Sequence, residues 1–190
     1  MRIALAHPTY PPERSDPLRL RLASLGRALA RGGHEVTVLT THRRRREVIR
    51  EDGVEVERRW RPPDSLTERR AYEAHLPGVP GLAWAVRRGR YDIVHAFGHV
   101  PAWAALQARS GAPVVYTCHD VPTREFMVER RYRLELLLAV IRGAASVTVT
   151  SEQEADAFCR YLLRPPALVV LDDADEAAAA FGAIYEAVRA

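Results

Sequence analysis

Residues 1–40 read MRIALAHPTYPPERSDPLRLRLASLGRALARGGHEVTVLT, and the order of patterns within them decides the fold. Arg2–His7 is uncharged and largely apolar after its first residue, as a strand inside a sheet would be. A proline-bearing loop runs from His7 to Pro17. Leucines at 18, 22, 25 and 29 then recur at helical spacing, which predicts a helix over 18–31. Ser15 or Asp16 suits its N-cap, and Pro17 suits the first helical position, where a missing N–H removes no bond. Gly32-Gly33 ends the helix, and Glu35–Thr40 (EVTVLT) is a second strand.

The same alternation continues outward. Val54–Arg58 alternates apolar and charged residues, as a strand near a sheet edge does. Trp60–Gly81 reads as irregular around one short helical stretch, with prolines at 62, 63, 77 and 80. Further strands are predicted at Tyr91–His95, Val114–Cys118, Ala145–Thr150 and Ala167–Leu171. Helices are predicted at Pro101–Arg109, Thr123–Arg142, Glu152–Leu162 and Glu176–Val188. The expected class is α/β: a single Rossmann-like, doubly wound domain with a mostly parallel sheet of about six to seven strands and helices on both faces.

Composition narrows the function. With 47% hydrophobic and 27% charged residues, the 190-residue chain is globular and not disordered. Its apolar runs, such as Leu134–Ile141, are too short to span a bilayer, and His7-Pro8 interrupts the opening run before a secretory core could form. Two cysteines make no disulfide framework, which points to the cytoplasm. All 28 basic residues are arginine, a compositional bias, and they are not interleaved with aromatics, so no nucleic-acid partner is expected. Arg43–Arg46 fits either a solvated loop or a patch facing phosphates or anionic headgroups, where each charge gains about 1 kcal/mol. The second reading would bring the protein to the inner membrane surface as a peripheral contact. Trp60–Trp84 suits a loop facing an acceptor or a membrane, whereas Leu82, Trp84, Val86 and Trp103 are expected in the core.

In such a sheet, ligands bind at the carboxyl ends of the strands. The polar residues there are His7, Tyr10, Ser15 and Asp16, then Thr41 and His42, His95 and His99, His119 and Asp120, and Ser151 and Glu152. The loop HPTYPPERSDP after the first strand has no glycine, so it lacks a dinucleotide fingerprint. A P-loop cannot exist without lysine, and there is no G-x-S-x-G, C-x-x-C or H-E-x-x-H. No cofactor and no metal are expected.

Three stretches carry a resemblance: residues 1–41, YDIVHAFGHVPAWAALQARSGAPVVYTCHD (91–120) and ASVTVTSEQEADAF (145–158). In this order they resemble family 4 glycosyltransferases of the GT-B fold, over about residues 1–164. The resemblance implies that 1–164 is the N-terminal, acceptor-side Rossmann domain. It implies a metal-independent transfer from a nucleotide sugar bound by a second Rossmann domain. Only 27 residues follow Leu163, and ALVVLDDADEAAAAFGAIYEAVRA resembles the closing strand and helix that pack back on the first domain. Residues 165–190 are therefore read as that closing segment, with the donor domain absent. The glycine pair usual after the first strand is replaced by Ser15-Asp16, whose carboxylate would repel a diphosphate.

By this resemblance His119 lies beside the transferred sugar and holds it or stabilises developing charge. Asp120 either orients that imidazole or caps the following helix. Arg14, Ser15 and Asp16 would line the acceptor side, with Arg14 meeting an anionic group. His95, Gly98 and His99 would contact the acceptor, Gly98 giving the backbone room. Ser151 and Glu152 match the family's serine–glutamate pair, which also serves as a helix N-cap. Three functional readings follow: an acceptor-binding half completed by a donor-domain partner or a homodimer, with a lipid- or phosphate-bearing acceptor; a non-catalytic pseudoenzyme or minimal engineered scaffold; and a small autonomous transferase.

Overall fold

Strands that bury both faces need helices above and below them, and the chain supplies both in alternation. The computed structural model describes residues 1–11, 17–43, 46–62, 73–119, 130–159 and 166–190. The elements are β1 (Arg2–Ala6), α1 (Pro17–Arg31), β2 (Glu35–His42), β3 (Glu47–Glu51) and β4 (Val54–Trp60). A 3-10 turn (Glu73–Gly78) leads into α2 (Val79–Gly89), β5 (Ile93–Phe97), α3 (His99–Ala108) and β6 (Val114–Cys118). Then come α4 (Arg131–Gly143), β7 (Ser146–Val149), α5 (Glu152–Cys159), β8 (Ala167–Leu168) and α6 (Ala174–Arg189).

The strands form one sheet in the order β3-β4-β2-β1-β5-β6-β7-β8. Every neighbouring pair is parallel except β3 with β4. On one face Ile3, Leu5, Val38, Val56 and Phe97 pack with Leu22, Leu25 and Leu29 of α1 and with Phe181 and Tyr185 of α6. On the other, Ala4, Leu39, Val94, Ala96 and Tyr116 meet Leu82 and Val86 of α2, the alanines of α3, Leu137 of α4 and Phe158 of α5. The α/β class is as expected, with eight strands where about six to seven were expected.

The extra strand is β3. Asp52-Gly53 joins β3 to β4, and both residues have positive φ, +51° and +80°, the geometry of a two-residue type I′ hairpin. Helix α2 starts at the end of the expected irregular stretch and continues to Gly89, over residues for which no element was expected; it carries a proline at its first turn, where the ring fits a helix start. Trp84 departs from its expected core position: it is 43% exposed, while Leu82 and Val86 are buried. The expected helices at 123–142 and 152–162 extend partly outside the described residues.

Helix α5 begins with a reciprocal cap. Ser151 Oγ accepts from the Glu154 amide at 3.3 Å. Glu154 Oε2 in turn accepts from the amides of Thr150 (2.7 Å) and Ser151 (3.2 Å) and from the Thr150 hydroxyl (2.9 Å). Glu154→Ala is expected to destabilise the protein by about 2 kcal/mol, since three donors lose a charged acceptor. Urea unfolding followed by circular dichroism measures this, and a loss under about 0.5 kcal/mol would show that the cap contributes nothing.

Candidate functional site

Chain order places β2 and β4 on one side of β1 and β5 to β8 on the other. The β1–β5 seam is therefore the topological switch point, the place where such sheets open a crevice at their carboxyl ends. His7 follows β1 there, Gly98 follows β5, and His119 follows β6.

His7 is 2% exposed, and its Nδ1 faces both the carbonyl oxygen of Thr9, at 2.5 Å, and the Thr9 amide nitrogen, at 3.2 Å. The loop that carries it is pinned from two sides. Arg19 Nε of α1 donates to Thr9 Oγ1 at 2.5 Å, and the Thr41 hydroxyl of β2 donates to the Pro8 carbonyl at 2.7 Å. The His7 and His119 rings lie 5.7 Å apart between centroids, inclined at 40°. Gly98 has φ +93°, and a Cβ there would stand 3.2 Å from His119 Nε2. Glycine thus supplies both the left-handed backbone and the space that the imidazole occupies. His99 is the first residue of α3, directly beyond Gly98, and is half-buried.

Burial, then the neighbouring His119, push the His7 pKa down to about 3, with Arg19 and His75 acting in the same direction and the Thr9 hydrogen bond opposing. His7 is therefore neutral at ordinary pH and is suited to hydrogen-bonding a hydroxyl. His95 is also held near 3, by burial. Both sit below their ordinary value of 6.5, so the unfolded chain binds protons that the folded chain excludes. Their stabilising contribution is complete above about pH 6.5 and falls as pH drops toward 3. Urea midpoints between pH 7 and pH 5 should show this fall, and His7→Asn should halve its slope. A stability that is flat over that range would contradict the assignment.

The structure gathers His7, Gly98 and His119, with His99 alongside, and separates the others. His95 is a correction. It lies within β5, is fully buried, and faces α6, where Nδ1 meets Tyr185 Oη and Nε2 meets Thr117 Oγ1, each at 2.6 Å. Both ring nitrogens are used inside the core, so it does not reach the crevice. Ser151 caps α5 beyond β7, and Glu152 is exposed in the first turn of that helix. Arg14, Ser15, Asp16 and Asp120 lie outside the described residues. Among the described residues, no three His, Cys, Asp or Glu side chains are grouped to hold a metal ion. Among them also, no helix is long and apolar enough to cross a membrane.

Residues 18–172 match the glycosyl transferase 4-like domain. The chain belongs to that family. No curated protein matches it significantly in sequence. Among solved structures it is similar to sucrose-phosphate synthase from Thermosynechococcus elongatus, with TM-score 0.67 and 20% identity over 89% of this chain and 47% of that one. A second structure of that synthase, designated by the numbers 27, 220, 406 and 426, is covered over 100% of both chains, with TM-score 0.70 and 20% identity. Anabaena HepE in complex with UDP-glucose gives TM-score 0.60 and 16% identity over 90% of this chain and 43% of that one. At these identities the likeness is one of fold, that of a Rossmann-like half of a GT-B glycosyltransferase. The chain spans about half the length of the full synthase.

For this glycosyl transferase 4-like domain, sequence reasoning places His7 among the strand-end histidines, fit for a general base, a phosphate partner or a hydrogen bond to a loop carbonyl, and does not single it out. Its position directly after β1, at the seam, is the signal that marks it. Arg19 and His75 carry no such signal, because a helix face and a 3-10 turn reach the crevice only through packing.

Proposed function

We propose that this chain is the acceptor-side half of a glycosyltransferase that uses a nucleotide sugar, and that a donor-binding half outside these 190 residues completes the cleft. A partner chain would supply that half, or a second copy of this chain would rebuild the cleft in its place. The observation that carries the reading is the pairing of His7 and His119 across Gly98 at the β1–β5 seam. Two imidazoles 5.7 Å apart at the carboxyl end of the sheet would hold sugar hydroxyls and stabilise developing charge, while the chemistry depends on two faces held around one bond. The full-length match to the shorter synthase structure and the UDP-glucose complex of HepE support the same reading. Ser15-Asp16 in the first loop disfavours binding of a diphosphate by this half alone.

Calorimetric titration with UDP-, GDP- and ADP-glucose, alone and with the cognate donor-binding chain, tests the proposal. Binding is expected only in the pair. Tight binding by the isolated chain would replace this reading with an autonomous transferase, and no binding in either case would leave a non-catalytic module.

A further inference from the structure

The basic run after β2 leads to a second feature, remote from the crevice and independent of the proposed transfer. β4 directs Glu55, Glu57 and Arg59 to the face of the sheet that α2 covers. Between α2 and this part of the sheet, toward the amino ends of β1 and β2, lies a cleft of about 430 Å³. Its arginines are Arg2, Arg46, Arg59, Arg88 and Arg90, against the carboxylates of Glu35, Glu55 and Glu57.

Those carboxylates are already committed. Glu35 pairs with Arg2 at 3.3 Å, and Glu55 pairs with Arg50, from outside the cleft, at 3.2 Å. Glu57 is shared between Arg59 and Arg46, the latter at 3.8 Å. Among the described residues Arg88 and Arg90 meet no carboxylate. The guanidinium carbons of Arg59, Arg88 and Arg46 lie 4.1, 5.0 and 5.7 Å from the centroid of the Trp84 ring. Cation–π attraction holds each of them there, but three like charges around one indole repel one another. Arg59 adds an independent sign. Its side chain is only 9% exposed, and its Nε–H is buried with no hydrogen-bond partner. A buried donor left unsatisfied in a wall of surplus positive charge is the complement of an oxyanion.

We propose that this cleft is a phosphate-binding site, in which Arg46, Arg59 and Arg88 take the phosphate and Trp84 forms its rim. The volume admits a pyrophosphate or a phosphate-ester headgroup, and planar guanidiniums match phosphate oxygens in pairs. The phosphate would be either soluble or carried by a lipid, and two arms separate these sources.

Calorimetry with inorganic pyrophosphate at low salt is one arm. Co-sedimentation with phosphatidylcholine vesicles, with and without phosphatidylglycerol, is the other. Arg46→Gln and Arg88→Gln change exposed residues, so folding is not at issue, and each should weaken binding at least tenfold. His119→Ala should leave it unchanged. Pyrophosphate binding without vesicle binding supports a soluble ligand. Vesicle binding that needs phosphatidylglycerol and is competed by pyrophosphate supports a headgroup. Absence of binding in both arms, indifference to both arginine variants, or loss in His119→Ala overturns the site.

Discussion

Phe181→Ala is expected to lower the unfolding free energy by about 3–5 kcal/mol, a large share of the roughly 5–15 kcal/mol available to a domain. Phe181 and Tyr185 are fully buried on α6, the last helix of the chain. The Phe181 ring packs on His95 at 4.5 Å, with Phe97 and Tyr185 at 6.3 and 6.1 Å between centroids. No other described element can refill that space, since α1 already covers the neighbouring strands. Tyr185→Phe should cost less, about 1–3 kcal/mol, because it keeps the ring and strands only the Nδ1 of His95. Urea unfolding of both variants ranks the two effects. A Phe181→Ala loss under about 1 kcal/mol would mean that α6 is an appendage and not a layer of the fold. The exposed ion pairs Arg21–Asp172 and Arg31–Asp175, at 2.6 and 2.7 Å, also tie α1 to the start of α6, and such pairs contribute little.

His119→Ala is expected to reduce kcat by about 10²–10⁴-fold in the completed transferase, with little change in melting temperature. The imidazole is half-buried at the end of β6, and its removal leaves the core intact. Gly98→Ala provides a second probe of the same position. A methyl group 3.2 Å from His119 Nε2 displaces the ring, and alanine is strained at φ +93°, so both turnover and stability should fall. Turnover within threefold of wild type for His119→Ala would remove this residue from the site. A Gly98→Ala protein that loses stability and keeps its turnover would show that the glycine serves the backbone alone.

Much of this is legible in the sequence. Apolar runs at Ile3–Ala6, Val36–Leu39 and Val114–Cys118 announce strands covered on both sides, and the leucines of α1 announce the helix between the first two. Alternation of strand and helix sets the parallel order, and that order places a crevice beside His7, Gly98 and His119. The Asp52-Gly53 hairpin was equally legible, as an acidic residue and a glycine between two β-rich runs. It is overlooked when the preceding arginines are taken as a loop.

The class, the strands and the end of the sheet where ligands would meet polar side chains follow from local spacing and connection length. Which histidines come together at the crevice depends on packing. Strand periodicity tells which residues share a face but not what covers that face. For His95 the cover proved to be a helix 90 residues away, and for His7 it was a second imidazole delivered by another strand. The surroundings of Trp84 were hidden for the same reason: guanidiniums from β4 and from the approach to β3 converge on it only after the sheet and α2 have packed.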